Sequence, residues 1–309
     1  MQLDNTRIAI RERGLAETFD LALQVTREFF GPILGLSLLM IVPLAMINYF
    51  LVGWMAPVDL DDEFIGWRYI WNMLVLIYLE APLASVLVTA YLGPAVFLED
   101  KRTKHVMIDV LRCFPQLFLC QFLLRGILPA WLLYLAVDRY SFNGFIEGFV
   151  LTCLALYAMC LRAIRPYINE IVLLERNPLR ARGTSAITIN KRSAHLHGPY
   201  ASDLIARWIV SVMIAALLFA LALMTAIFLK GVLTSDWPFY MEAVPEPQLM
   251  IDLDWIDYQI LFPLALWTVV ALMSVVRFLS YLDLRIKHEG WEVELLMRAE
   301  AMRLAARME

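Results

Sequence analysis

The sequence predicts an all-α integral membrane protein: six transmembrane helices in three hairpins, with amphipathic interfacial helices on the cytoplasmic side. Three observations lead there. Of 309 residues, 61% are hydrophobic and only 18% are charged, unlike a soluble domain. The apolar residues fall in long runs: residues 31–58 hold no charged side chain, more than the ~20 residues that a helix needs to cross a bilayer. Nearly all Lys and Arg fall in four patches, 7–27, 101–112, 162–207 and 277–307, whereas acids dominate the alternate connections 59–63 and 236–257. The positive-inside rule puts the basic patches in the cytoplasm together with both termini.

The chain reads as one polytopic domain, 1–309, divided into hairpins at 15–98, 99–174 and 175–290 and a C-terminal amphipathic helix at 291–309. Leu15, Phe19, Leu23 and Phe30 form one stripe of an interfacial helix, and Gly31-Pro32 turns the chain into the first span, 32–54. Trp54, Trp67, Tyr69 and Trp71 flank the first acidic loop as an aromatic belt. The second span, 69–98, carries Pro82 and Gly93-Pro94, each predicting a kink. Residues 99–112 read as a short interfacial helix, followed by spans at 114–137 and 144–164. A polar inner connection, 175–200, leads to a fifth span at 206–229. Residues 233–257 form a long acidic outer loop with Pro238, Pro245 and Pro247. The sixth span, 258–279, continues into 281–285 and a last helix from Trp291, where Trp291, Leu295, Ala299, Met302 and Ala306 recur at helical spacing.

Two charges interrupt the apolar runs. Glu80 and Arg125 each lie about 11–12 residues from the outer edge of their spans, which at ~1.5 Å per residue gives them the same depth. An unpaired charge there is costly, so the two are expected to pair, with Asn72 and Gln121 (and Thr89) as polar neighbours. The pair either fixes the packing of spans two and three or forms a polar centre for a headgroup or proton. A second cluster gathers at the inner face: Arg162, Arg165, Asp283, Arg285, Glu289 and Trp291. There Asp283 or Glu289 either pairs with an arginine of another inner junction, such as Arg162 or Arg165, locking the tail to the bundle or presenting it to a partner, or belongs to a solvated linker.

No chemistry-bearing motif is complete. His195 and His197 lack a nearby Cys or placed carboxylate and read as solvated inner-loop residues. His288-Glu289 has Glu292 where a zinc-binding helix needs its second His. Gly183-Thr184-Ser185-Ala186-Ile187 is one glycine short of a nucleophile elbow. The four cysteines, Cys113, Cys120, Cys153 and Cys160, read as small packing residues. No enzyme activity, metal or other cofactor, and no nucleic-acid partner, is expected.

The junction Ala95-Val-Phe-Leu-Glu-Asp matches Ile171-Val-Leu-Leu-Glu-Arg, which suggests a parallel repeat of hairpins. The tail Tyr281-Leu-Asp-Leu-Arg, followed by Glu289-Gly-Trp-Glu-Val-Glu-Leu, is similar to the ending of some uncharacterised bacterial multi-pass proteins that resemble the glycerophosphodiester phosphodiesterase membrane domain. The resemblance implies a bacterial inner-membrane location and carries over no catalytic residue. The functions left open are a non-enzymatic protein that organises protein partners or lipid at the cytoplasmic face, and a transporter or lipid-handling protein that uses Glu80 and Arg125. The partners expected are the bilayer with its anionic lipids, a membrane protein, or a second copy of the chain.

Overall fold

The computed structural model describes residues 11–56, 63–97, 103–136, 145–179, 187–235, 237, 239–242, 248–251 and 255–290. Four described helices are long and apolar enough to cross a membrane, and six crossings result if each of two bent helix pairs counts as one. The chain is therefore a helical membrane protein with four to six candidate spans.

Helix α1 (Leu15–Glu28) buries Thr18, Ala22 and Val25 and packs against the last helix. The predicted stripe is displaced: Leu23 and Phe30 point outward. Small residues allow close approach to the neighbouring helix, and the large apolar side chains stay outside. The break expected at Gly31-Pro32 falls at Phe29, and Pro32 sits in the first turn of α2 (Phe30–Val52), where its missing N–H has no partner to lose.

The second span is the most buried one. It is split at Ser85 into α3 (Glu63–Ala84) and α4 (Val86–Val96). Pro82 supplies the reason, because it cannot bond the Tyr78 carbonyl one turn back. After α5 (Thr103–Arg112), the short α6 (Phe114–Leu117) runs into a π-turn at Phe118–Leu123. α7 (Ile127–Ala136) follows only after an interruption at Leu124–Gly126. The predicted continuous third span is thus two pieces. Gly126 adopts φ +84°, and Pro129 cannot bond the Arg125 carbonyl, so the helix breaks at Arg125 itself.

α8 (Phe145–Ile164) bends by 65° at Pro166 into α9 (Ile168–Glu170) and a π-turn at Ile171–Glu175. The Thr188 side chain caps α10 (Ile189–His197), accepting from the Lys191 N–H. α11 (Ala201–Thr234) has 34 residues, about 51 Å at 1.5 Å per residue. The predicted outer loop contains a short antiparallel hairpin, β1 (Phe239–Glu242) with β2 (Gln248–Ile251), pairing Phe239 with Ile251. α12 (Phe262–Glu289) runs without a linker until Gly290 takes the left-handed cap at φ 65°. The charged stretch after the sixth span is therefore helix, and α12 as a whole packs on α1, α2, α3, α4, α10 and α11.

Two apolar cores result. One lies at the basic end and joins α1, α4, α10 and the last turns of α12. The other joins α3, α7, α8 and the start of α12.

Candidate functional site: an arginine-lined cavity

The site grows out of the break at Pro82. With no proline N–H to accept, the Tyr78 carbonyl is free, and Arg162 takes it. The Arg162 Nη2 donates to the Tyr78 carbonyl and, at 3.1 Å, to the Leu79 carbonyl. Its guanidinium lies 3.8 Å from the Tyr78 ring centroid, a cation–π contact. The Pro82 carbonyl accepts from Asn169 Nδ2 at 2.6 Å and from Ser85 Oγ at 2.8 Å. Asn169 in turn accepts from Gln121 Nε2. A proline kink inside an apolar bundle is thus sealed by side chains from α8, α9 and the π-turn after α6.

Arg125 emerges from the interruption before α7. It is only 2% exposed, and its Nη2 donates to the Arg165 carbonyl at 3.3 Å. The charges acting on it are those of Arg162 and Arg277, which repel it, and of Glu170, which attracts it. Glu170 is already engaged: Arg277 Nε donates to its Oε1 at 2.8 Å, and Arg277 Nη2 donates to Ser85 Oγ at 2.6 Å. Among the described residues, neither Arg125 nor Arg162 has a carboxylate within ion-pair distance. The Nε of each is buried without a hydrogen-bond partner.

These side chains border a cavity of about 380 Å³ between α3, α8, α11 and α12. Arg125, Arg162, Arg207 and Arg277 all line it, and the remaining walls are mostly apolar, with Trp208 and Phe219 among them. α11 makes this space possible. It is buried at Leu204 and again at Ile227, Lys230 and Gly231, but at no position between. Arg207 to Asp283, 2.7 Å, pins one end, and Lys230 to Asp257, 2.9 Å, pins the other.

No protein-family model, curated protein or solved structure matches this chain.

The expected Glu80–Arg125 pair is not formed. Glu80 is fully buried, and its two oxygens accept from Asn48 Nδ2 at 2.8 Å and Trp131 Nε1 at 2.7 Å. Counting depth along an unbroken third span placed the arginine opposite the acid. The interruption at Leu124–Gly126 turns Arg125 toward Arg165 instead, and two neutral donors satisfy the carboxylate. Asn72 lies apart from Glu80, donating to Met55 Sδ at 3.4 Å. Gln121 belongs to the seal around Pro82. Thr89 is buried with no partner for its hydroxyl.

The tail cluster pairs with arginines of the inner basic patch, Arg207 and Arg192, rather than with the two named examples, Arg162 and Arg165. Asp283 pairs with Arg207 and accepts from the Arg13 backbone N–H at 2.7 Å. Glu289 pairs with Arg192 and, at 2.6 Å, with Arg285. Arg192 also grips Glu175 through two bonds of 2.6 and 2.9 Å, and Tyr281 donates to the same carboxylate at 2.9 Å. Arg165 is left to Asn190, and Arg162 belongs to the cavity. Trp291 lies outside the described residues, as do the last helix and the glycine-serine stretch at 183–186. His195 is surface-exposed beside His288, at 3.1 Å. His197, expected to be solvated, is 3% exposed and stacks on Tyr167. Burial there pushes its pKa from near 6.5 down to about 4, against the opposing hydrogen bond to the Ser193 carbonyl. Cys113 and Cys120 are buried packing residues as expected, but Cys153 and Cys160 are exposed.

Asn48, Trp131, Glu170, Arg277 and Arg207 were missed from sequence. Neutral donors leave no charge signal, and Arg207 and Arg277 look like ordinary topology-setting charges. One signal was available: a proline inside a span implies a freed carbonyl four residues earlier, and hence a donor to meet it.

Proposed function

We propose that this chain is a non-enzymatic inner-membrane protein that binds an anionic amphiphile in the cavity beneath α11, with its basic end and both termini in the cytoplasm. One observation carries the reading: two arginines that, among the described residues, have no carboxylate within ion-pair distance border a mostly apolar cavity. A charge held in such surroundings needs a counter-charge. A ligand with an anionic head and an apolar body supplies both. The proposal keeps the lipid-handling reading of the sequence and moves its centre from Glu80 to Arg125 and Arg162. Glu80 has neither contact with the cavity nor exposure, and in this reading it is a packing acid.

Native mass spectrometry of the protein released from mild detergent tests the proposal. The wild-type chain is expected to retain an anionic lipid that the Arg125→Gln/Arg162→Gln double variant loses. A delipidated wild-type chain, or equal retention by the folded double variant, contradicts it.

A further inference from the structure

We infer that the amphiphile ends in a phosphomonoester, a dianionic head, rather than in the monoanionic phosphodiester of ordinary membrane lipids; this rests on the reading above. The charge count around the cavity carries it. Of the four arginines that line the space, Arg277 is neutralised by Glu170 at 2.8 Å and Arg207 by Asp283 at 2.7 Å. Asp203 also touches Arg207, at 3.2 Å, but its side chain is 42% exposed and solvated. Arg125 and Arg162 remain, giving two positive charges with no carboxylate within ion-pair distance among the described residues; Glu170, which attracts Arg125, is already counted against Arg277. A phosphodiester offsets one of them. A phosphomonoester carries about −1.5 to −2 near neutral pH and offsets both. In a weakly polar surrounding the leftover charge is the costly part, so the matched head is favoured.

Donor and acceptor numbers agree. Each guanidinium presents its N–H groups as a fork that suits two oxygens, and among the described residues the carbonyls of Arg165, Tyr78 and Leu79 engage only the Nη2 of Arg125 and Arg162. A terminal phosphate offers three acceptor oxygens to two forks, whereas a diester has two non-bridging oxygens. Size points the same way. About 380 Å³ is at the small end of ligand pockets and suits a compact head with the start of a chain. Between Leu204 and Ile227 no side chain of α11 is fully buried, and Leu217, Leu221 and Met224 are exposed, so the rest of the chain has an apolar outer surface to lie against. The polar groups on the wall besides the arginines are mainly serine hydroxyls and the two tyrosines, with little to satisfy a glycerol or inositol head.

The test compares two lipids that differ by one methyl group. Dioleoyl phosphatidic acid has a free phosphomonoester; dioleoyl phosphatidylmethanol has the same chains and phosphorus but a single charge. Affinities for the detergent-solubilised wild-type chain are measured by ligand-induced thermal stabilisation, with dioleoyl phosphatidylcholine and inorganic phosphate as further arms. Phosphatidic acid is expected to bind about tenfold tighter than phosphatidylmethanol. Arg125→Gln and Arg162→Gln should each bring that ratio toward one, with phosphatidylcholine and inorganic phosphate weak throughout. Equal binding of the two anionic lipids, lost in the arginine variants, overturns this inference and leaves the proposed function standing. Equal binding of phosphatidylcholine overturns both. Inorganic phosphate binding as tightly as phosphatidic acid keeps the phosphate chemistry and overturns the amphiphile. The wild-type ratio decides the matter even if neither variant folds.

Discussion

Glu80 is where an ion pair and a cradle of neutral donors give opposite outcomes. Its carboxylate oxygens accept from Asn48 at 2.8 Å and Trp131 at 2.7 Å. Glu80→Gln keeps a carbonyl oxygen for Trp131 and turns an NH₂ toward Asn48. Asn48 Oδ1, buried and without a partner, accepts it after an amide flip that exchanges one unpartnered atom for another. The expected loss is about 1 kcal/mol or less. Glu80→Leu strands both donors. At ~1–3 kcal/mol for each buried unsatisfied group, partly offset by apolar packing, the loss is roughly 2–4 kcal/mol. A buried pair with Arg125 makes a different forecast: there Glu80→Gln alone costs ~3–5 kcal/mol. Equilibrium unfolding in bicelles by steric trapping measures these values. In double-mutant cycles, Glu80→Gln with Arg125→Gln should couple by under ~0.5 kcal/mol, and Glu80→Leu with Trp131→Phe by ~1–2 kcal/mol. Coupling above ~1 kcal/mol between Glu80 and Arg125, or recovery of folding on exchanging their charges, refutes the reasoning.

Asp283→Arg places like charge against Arg207 and removes the acceptor for the Arg13 N–H. It should cost about 3 kcal/mol and make the segment before α1 sensitive to limited proteolysis; unchanged cleavage contradicts the lock. Buried, neutral His197 must take up a proton when the chain unfolds in acid, so the unfolded state binds more protons between pH 6.5 and about 4. Stability should therefore be full above that window and fall through it by up to about 3 kcal/mol. His197→Phe should flatten that part of a pH–Tm series, and an unchanged slope rules the assignment out. Gly126→Ala meets both a φ of +84° and a Leu154 methyl 2.5 Å from the new Cβ. It should cost roughly 1–3 kcal/mol in thermal unfolding, and a neutral result removes the strained break from the account. Single cysteines at positions 249 and 287 should react with an impermeant thiol reagent from opposite faces of the membrane; reaction from one face overturns the proposed orientation.

The helices were legible because apolar runs of spanning length declare themselves, and Pro82 marked the break in the second span; Gly93-Pro94 marked no second one, because α4 runs through both residues to Val96. Glu80 and Arg125 were legible as residues that need explaining, since a charge inside an apolar run always does. Their partners were not. Locating Arg125 by counting assumes a continuous helix, and the Gly126 and Pro129 signals that break it lie on the far side of the charge. Asn48 and Trp131 satisfy an acid without any mark that separates them from ordinary span residues. For the last turns of α12 a solvated linker stayed open as one reading because Asp283, Arg285, Lys287 and His288 crowd there. Tyr281, Leu282, Leu284 and Ile286 between them are nevertheless buried, and the charges are absorbed by Arg207 of α11, by Glu175 of the π-turn after α9 and, one turn along α12 itself, by Glu289. The cavity left no sequence signal either. It exists because α11 is pinned at its two ends and buries no side chain completely between them, a property of packing rather than of any residue.

The central claim is that an anionic amphiphile lies beneath α11, and mapping of lipid crosslinks tests it most directly. A phosphatidic acid carrying a diazirine in its acyl chain, irradiated with the protein in nanodiscs, is expected to label the cavity wall at Ala215, Phe219 and Leu266, with that labelling lost in Arg125→Gln/Arg162→Gln. Labelling confined to the outward residues Leu217, Leu221 and Met224, unchanged by the double variant, would contradict it.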